Sequence, residues 1–213
     1  MQLIKKTLRT LRNYHYKSEP KYKEYFIGPH QLTLPTDHAL DRYQQKFKRY
    51  DVALGDIARA INKKYPNYTA IDIGANIGDS AALICSHQRT PVLCIEGNKN
   101  FLELLQQNAA RLGNHITIEP SFVGTDGTSI TANNLQEKNG TAFITQDQNN
   151  TTTTDTTSMP MKSLTTVLAN HQGFSESKLI KIDTDGYDFF IINNSLSIFE
   201  TMKPVLFFEY ILS

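Results

Sequence analysis

Residues 69–79 read TAIDIGANIGD, a short apolar run that passes directly into a glycine-containing turn. The next residues, GDSAALICSHQ (78–88), have the apolar spacing of a helix, and PVLCIE (91–96) is a second buried apolar run. A strand, a tight turn, a helix and another strand in this order are typical of a parallel βαβ unit. The stretch therefore predicts an α/β fold.

The same alternation continues along the chain. KNFLELLQQNAARL (99–112) carries its large apolar residues on one helical stripe, and Gly113 follows as a stop. Further strands are predicted in HITIEPSFVG (115–124), KLIKID (178–183) and PVLFFEY (204–210), with helices in MKSLTTVLAN (161–170) and YDFFIINNSLSIFE (187–200). We predict a doubly wound, Rossmann-like parallel sheet, with TAIDI at its centre between PVLCIE and LIKID.

Charge and composition divide the chain into two parts. Residues 1–64 carry a net charge of +8 and the remainder −7, which leaves +1 overall. We assign residues 1–49 to a basic N-terminal extension of helix and turn elements, including a short hairpin in FIGPHQLTLP, and residues 50–213 to the α/β domain. Within that domain the polar, low-complexity run QDQNNTTTTDTTS predicts a Thr-rich loop insertion over residues 145–158.

Several protein classes are excluded by composition. A chain of 213 residues with 39% hydrophobic and 20% charged residues fits one globular domain, not a collagen or a coiled coil. No apolar run approaches the roughly 18–20 residues that span a bilayer, and the first 17 residues lack the apolar stretch of a secretory signal. We expect a cytoplasmic protein.

The basic residues near the N-terminus bear on partners. Apolar positions in residues 1–17 recur at roughly helical spacing among lysines and arginines. This pattern fits a weak contact with a membrane surface, and it equally fits packing on the domain or on a partner. We expect no nucleic-acid partner, and no pattern indicates an oligomeric state.

The turn DIGANIG (72–78) is the first candidate binding site. Its glycines allow the backbone to approach a ligand, and the following helix offers unpaired N–H groups. The dinucleotide fingerprint G-x-G-x-x-G is absent, because Asn76 and Asp79 occupy two of its glycine positions. The acidic Asp72 and Asp79 suit a cationic ligand with amino-acid and nucleoside parts better than a diphosphate. A purely structural tight turn is the alternative.

Glu96 ends the second predicted strand and is the second candidate. A carboxylate at this point of a doubly wound fold can accept both hydroxyls of a ribose. The alternative is a solvated acid at the end of a strand. Together with the turn, Glu96 points to NAD or S-adenosylmethionine, and the glycine spacing favours S-adenosylmethionine.

The third candidate is KIDTDGYD (181–188), which follows the fourth predicted strand. Its carboxylates could supply a general base, a metal site or a helix cap. Asp183 and Asp185 are the best-placed candidate bases, and Asp188 is the candidate for a purely structural role. His38 and His87 are alternative bases. Because the rest of a calcium-loop pattern is missing, we predict no metal ligand.

Five segments of the chain together resemble the FkbM-type methyltransferases, a branch of the class I S-adenosylmethionine-dependent enzymes. They are LPTDHALDRYQQKFKRYDVALGDIARAI (34–61), TAIDIGANIGD, CIEGN (94–98), LIKIDTDGYD and PVLFFEY. The resemblance spans roughly residues 31–124 and 161–210. By similarity, the cofactor-binding residues would be Asp72, Gly74, Ala75, Asn76 and Gly78 for the methionine part, Glu96 for the ribose, and Phe122 and Val123 for the adenine. Asp126 could accept from the adenine amine.

The resemblance also implies an activity. FkbM-type enzymes typically methylate hydroxyl groups, so we expect S-adenosylmethionine-dependent O-methylation of a sugar, a polysaccharide or a related metabolite. Asp185 and Asp183 would be catalytic, with Asp185 as the base if Asp183 contacts the cofactor. The chain ends soon after the fifth predicted strand, so the terminal hairpin usual in class I methyltransferases is missing from the predicted sheet. A truncated, catalytically silent binding module is therefore the alternative, and an NAD-dependent enzyme is a third interpretation.

Overall fold

A computed structural model describes residues 21–47, 52–130, 135–138, 141–144 and 158–209. The first elements are β1 (Tyr22–Ile27), β2 (His30–Pro35), α1 (Leu40–Lys46), α2 (Val52–Lys64), β3 (Ala70–Ile73), α3 (Asp79–Ile84), β4 (Val92–Ile95), α4 (Lys99–Leu112) and β5 (Ile116–Glu119). Then come β6 (Phe122–Val123), β7 (Ser129–Ile130), β8 (Leu135–Lys138), β9 (Thr141–Ile144), β10 (Met159–Lys162), α5 (Leu164–Asn170), a 3-10 turn (Gln172–Phe174), β11 (Leu179–Ile182), α6 (Asp188–Asn194), α7 (Leu196–Met202) and β12 (Val205–Phe208).

The central sheet has five parallel strands in the order β12-β11-β3-β4-β5. In register, Ile71 of β3 lies beside Leu93 of β4 on one side and Ile180 of β11 on the other. The α/β prediction and the central position of TAIDI between PVLCIE and LIKID are confirmed. The chain proceeds from β3 outward to β5, then returns to build β11 and β12 on the other side, which places a topological switch point between β3 and β11.

Both faces of this sheet are covered. Successive side chains of a strand point to opposite faces, so Ile71 and Ile73 join one buried apolar cluster with α5, α6 and α7. Ala70 joins the other cluster, with β1, β2, α2, α3 and α4. The sheet is therefore doubly wound. Asp72 and Lys181 lie on the face of Ala70, as a charged pair among apolar neighbours.

The N-terminal hairpin β1–β2 is antiparallel, as FIGPHQLTLP predicts, although β1 begins earlier, at Tyr22. Asn108 of α4 is fully buried and fastens the hairpin to the sheet domain. Its Oδ1 accepts the Thr33 N–H at 2.8 Å, and its Nδ2 donates to the carbonyl oxygens of Thr33 and Ile77 at 3.0 and 2.8 Å. The hairpin is thereby linked to the turn after β3.

Three predicted elements differ in detail. The helix predicted over 161–170 begins only at Leu164, where the Ser163 side chain accepts the Thr166 N–H. Residues Met159–Lys162 instead form β10, which pairs with β6 and β7. The third predicted strand divides into β5 and β6, and the helix predicted over 187–200 divides into α6 and α7 at the buried Ser195.

Two sequence predictions lie outside the described residues. These are the membrane-surface contact of residues 1–17 and, except for Ser158, the Thr-rich insertion over 145–158. Among the residues that are described, no helix has the length and apolar character needed to cross a bilayer. Within the described ranges, β12 is the outermost strand on one side of the sheet, and Glu209 directly after it is the last residue described.

Candidate functional site

A cleft opens at the carboxyl ends of β3, β4 and β11. Its position matches the switch point of the sheet, where open α/β folds bind their ligands. It is lined by seven of the residues predicted from sequence, namely Gly74, Asn76, Glu96, Phe122, Val123, Asp183 and Asp185. The structure therefore brings the glycine turn, the strand-end acid and the acidic loop to one place.

The turn after β3 runs tightly against the end of β11. Gly74 has a φ of 78°, and a Cβ on it would lie 1.9 Å from the Asp183 carbonyl oxygen. The N–H groups of Gly74 and Ala75 both donate to the Ile95 carbonyl, at 3.0 and 3.1 Å. Asn76, with a φ of 49°, completes the turn. Only a residue without a side chain fits at position 74.

Glu96 joins two loops at the floor of the cleft. Its Oε2 accepts the Asn76 N–H at 2.8 Å and its Oε1 accepts the Asn98 N–H at 2.7 Å. Burial raises the pKa of Glu96 to about 7, although these two backbone donors and Lys181 favour the charged form. Each carboxylate oxygen has a second lone pair, so the group can still accept hydroxyl donors.

Phe122 closes the side of the cleft next to Glu96. Its ring lies so close to Gly97 that a Cβ there would meet ring atoms at 2.3–2.5 Å. Val123 follows it in β6, which is held by β10. Because Gly97 has no side chain, the Phe122 ring can pack directly on its backbone and form part of the cleft wall.

The other three predicted cofactor residues lie behind the cleft surface. Asp72 is fully buried, Ala75 is 1% exposed, and Gly78 precedes α3 with a φ of 91°. They shape the turn from behind, and their direct contact with a cofactor stays a prediction. Asp126 instead receives the Ser163 N–H and hydroxyl, at 2.8 and 2.7 Å, and also the Thr166 hydroxyl.

The acidic loop brings several carboxylates to the other side of the cleft. Oxygens of Asp183, Asp185 and Glu209 lie within 4.8 Å of one another, so these residues could hold a cation. Burial raises the pKa of Asp185 to about 6, and the negative charges of Asp183, Glu209 and Asp188 act in the same direction. The Asp188 Oδ2 accepts the Thr184 N–H and hydroxyl at 3.2 and 2.9 Å, which closes the loop on itself as a structural role requires.

Lys181 is a buried cation beneath these carboxylates. Its Nζ lies 3.3 Å from Asp72 Oδ1 and 3.3 Å from Asp183 Oδ2. Burial works against its charge, but Asp72, Asp183 and Asp79 raise its pKa overall, so the ammonium stays protonated. Burial also raises the pKa of Asp72 to about 6, against the opposing effect of Lys181.

The two histidines considered as bases do not line this cleft. His38 is buried behind the glycine turn, where its Nδ1 accepts the Leu40 N–H at 3.2 Å. Burial lowers the pKa of His38, and Asn76 and Asp79 act on it in the opposite sense. His87 lies in a separate cleft beside the hairpin.

Several lining residues were missed by sequence reasoning. They are Gly97, Phe101, Ser121, Thr184, Tyr187 and Ile191. Gly97, Thr184 and Tyr187 stood inside the quoted motifs CIEGN and KIDTDGYD and could have been included. Ser121 and Ile191 carry no local signal, because only the folding of the sheet brings them to its carboxyl edge.

The chain matches a family model and is similar to several solved structures. The family model of the methyltransferase FkbM domain matches residues 72–212. No curated protein matches the sequence. Among solved structures, a SAM-dependent methyltransferase from Agrobacterium tumefaciens is 7% identical with a TM-score of 0.49, and the match covers 93% of this chain and 56% of that one.

Two further solved structures are similar with lower TM-scores. A protein from Staphylococcus aureus provisionally assigned as a caffeoyl-CoA O-methyltransferase is 14% identical with a TM-score of 0.39, covering 92% of this chain and 68% of that one. A provisionally assigned transferase from Pyrococcus horikoshii is 13% identical with a TM-score of 0.35, covering 48% of this chain and 37% of that one. The chain thus spans between 37% and 68% of the length of these three proteins. The family model, which covers well over half of the chain, decides the assignment: the chain belongs to the FkbM methyltransferase family.

Proposed function

We propose that this chain transfers a methyl group from S-adenosylmethionine to a hydroxyl oxygen of an acceptor bound at the mouth of the cleft. The observation that carries the proposal is the single cleft that unites the glycine turn, Glu96 and the acidic loop. The family assignment supports methyl transfer in general. The identity of the residues involved and the nature of the acceptor are part of the proposal.

The residues present fit this cofactor. Gly74 leaves the backbone bare where the methionine part would lie, and Glu96 offers unused lone pairs to ribose hydroxyls. Phe122 and Val123 provide an apolar wall for the adenine ring.

The chain's own contribution to the reaction is positioning and proton transfer. When bound, S-adenosylmethionine supplies an electrophilic methyl group on a positively charged sulfur. Asp185 accepts the proton of the acceptor hydroxyl as the new C–O bond forms and the C–S bond breaks. Asp183 lines the cleft next to Gly74, where we propose that it contacts the methionine part of the cofactor. Holding both reactants in line lowers the activation free energy of methyl transfer by several kcal/mol.

The acceptor we propose is a sugar, a polysaccharide or a related hydroxyl-bearing metabolite. Tyr187 lines the cleft and packs against Phe190 with ring centroids 5.0 Å apart and the ring planes tilted by 51°, which presents an aromatic surface beside the carboxylates. Aromatic faces and hydrogen-bond acceptors together suit a ligand with C–H faces and hydroxyl groups. The proposal includes no nucleic-acid partner and no metal ion.

Transfer of labelled methyl groups tests this function. Wild-type protein and Asp185→Asn are incubated with methyl-labelled S-adenosylmethionine and a panel of glycans and small alcohols. We expect labelled product with the wild type and a rate lower by about 10²–10⁴-fold with the variant, as for the loss of a general base. Glu176→Gln, an exposed acid outside the cleft, is the matched control. Tight cofactor binding by the wild type without any transfer would favour the silent binding module instead.

A further inference from the structure

We propose that Lys181 is a positioning residue that holds the cofactor turn and the acidic loop at a fixed separation. The inference rests on the function proposed above. Its Nζ lies 3.3 Å from the Gly74 carbonyl oxygen and 3.3 Å from Asp183 Oδ2, so one ammonium contacts both loops that line the cleft. The third contact of Nζ is with the Oδ1 of Asp72, which lies 3.3 Å away on the neighbouring strand β3.

Burying the charges of Lys181 and Asp72 costs folding free energy, so the pair is a poor way to stabilise the fold. The side chain of Lys181 is 7% exposed and that of Asp72 is 0% exposed. Removing two charges from water costs several kcal/mol per ion, and well-packed apolar residues of similar size are often as stable or more stable. The strand neighbours of the pair, such as Ala70 and Leu179, are apolar and fully buried. A role in stability alone therefore does not account for the pair.

Asp72 anchors the ammonium. Register places Asp72 directly opposite Lys181 on neighbouring strands. Among the described residues the Asp72 carboxylate has no donor other than Lys181, whose Nζ lies 3.3 Å from its Oδ1. This pairing holds the charge of Lys181 at the end of the sheet instead of letting the long side chain extend into the cleft.

The two loops depend on this anchor to different degrees. A backbone hydrogen bond already holds the start of the acidic loop against the end of β3, since the Asp183 N–H donates to the Ile73 carbonyl at 3.0 Å. The Asp183 side chain, however, is 44% exposed and could turn toward solvent. Contact with Lys181 keeps that carboxylate at the cleft and draws the Gly74 carbonyl toward β11. Lys181 thus sets the width of the cleft where the methionine part would lie.

The experiment replaces both members of the pair. Asp72→Leu/Lys181→Met replaces the two opposite charges by apolar side chains of similar size, so we expect a melting temperature at or above that of the wild type. We expect the Kd for S-adenosylmethionine to rise about tenfold and kcat to fall about tenfold or more, because misplacement by an ångström is costly. In the cofactor-free protein, amide hydrogen exchange should accelerate at residues 74–78 and 183–187 and stay unchanged in β3 and β4.

Two further variants complete the comparison. Lys178→Met is the matched control, because Lys178 lies at the start of the same strand and contacts the Met202 carbonyl, outside the cleft. Asp183→Ala keeps the buried pair and removes one loop contact, so faster exchange at residues 183–187 is expected even if the double variant fails to fold. Unchanged exchange in Asp183→Ala, or wild-type Kd, kcat and loop exchange in a folded double variant, would overturn the inference. A wild type that does not bind S-adenosylmethionine would contradict the proposed function instead.

Discussion

The Glu96 carboxylate accepts the backbone N–H of Asn76 at 2.8 Å, so the end of β4 holds the turn that follows β3. The same carboxylate accepts the Asn98 N–H, at the start of α4. Glu96 therefore organises the cleft before any ligand arrives. It is also the acid proposed to accept the ribose hydroxyls, and this double role makes it the most informative position to change.

Glu96→Gln is expected to weaken S-adenosylmethionine binding by about 1.5–3 kcal/mol, the usual range for hydrogen bonds to a charged group. The amide keeps the size of the side chain, but its NH₂ group cannot accept from a backbone N–H or from a hydroxyl. Titration calorimetry at pH 8 measures the change. Glu103→Gln, an exposed acid on α4, is the control and should leave the Kd as it is.

Binding is also expected to depend on pH. Because the pKa of Glu96 in the ligand-free protein is raised to about 7, the carboxyl group is largely charged at pH 8 and largely protonated at pH 6. The bound state needs the charged acceptor, so the Kd should rise by up to about tenfold as pH falls over this interval. Calorimetry on the wild type and on Glu96→Gln checks the cause. An equal pH dependence in both proteins would assign it to another group.

The rate of methyl transfer should follow the ionisation of Asp185. Its pKa is raised to about 6, and the base must be charged to accept a proton. At saturating cofactor, kcat should therefore increase as pH rises through about 6 and then level off. Asp185→Asn should lose this limb together with most of the activity. A limb that persists in the variant would show that another residue acts as the base.

Gly97→Ala tests the wall of the cleft. The added methyl group would overlap the Phe122 ring, which must move, and overpacking of this kind costs about 1–3 kcal/mol. We expect weaker S-adenosylmethionine binding by a similar free energy, with the circular dichroism spectrum unchanged. Gly173→Ala is the matched control, because nothing lies within 4 Å of its added Cβ. Equal affinities of the two variants would place the adenine elsewhere.

The sheet could be predicted because strands such as TAIDI, PVLCIE and LIKID are largely apolar on both faces and alternate with helices. This alternation is typical of a parallel sheet covered by helices. β10 could not be predicted, because MPMK is short, contains a proline and exists only through its pairing with β6 and β7. The deciding factor is whether an element carries its own apolar pattern in the sequence or forms only because distant strands pair with it.

The candidate site shows the same division. Glu96, Gly74 and the acidic loop were found because each follows a predicted strand, and the carboxyl ends of parallel strands meet at one edge. The ion pair of Asp72 with Lys181 was not predicted, since it depends on the register of two strands that are more than 100 residues apart in sequence. Asn108 was likewise interpreted only as part of a helix, because its partners in β2 and in the turn after β3 lie far away in the sequence.

Asn108→Ala should destabilise the fold by about 2–4 kcal/mol. The change removes three hydrogen bonds in a fully buried position and leaves the Thr33 N–H without its acceptor. Urea denaturation measures the free energy of unfolding. Gln107→Ala, at an exposed position on the same helix, should change it by less than about 0.5 kcal/mol. Similar values for the two variants would mean that the hairpin is not fastened through Asn108.

The central claim is that the cleft at the switch point binds S-adenosylmethionine. Titration calorimetry of the wild-type chain with S-adenosylmethionine, S-adenosylhomocysteine and NAD, carried out side by side at pH 8, tests it most directly. We expect saturable binding of the first two ligands, weakened in Glu96→Gln, and no binding of NAD, because Asn76 and Asp79 stand where a diphosphate site needs glycine. Binding of NAD without binding of S-adenosylmethionine would contradict it.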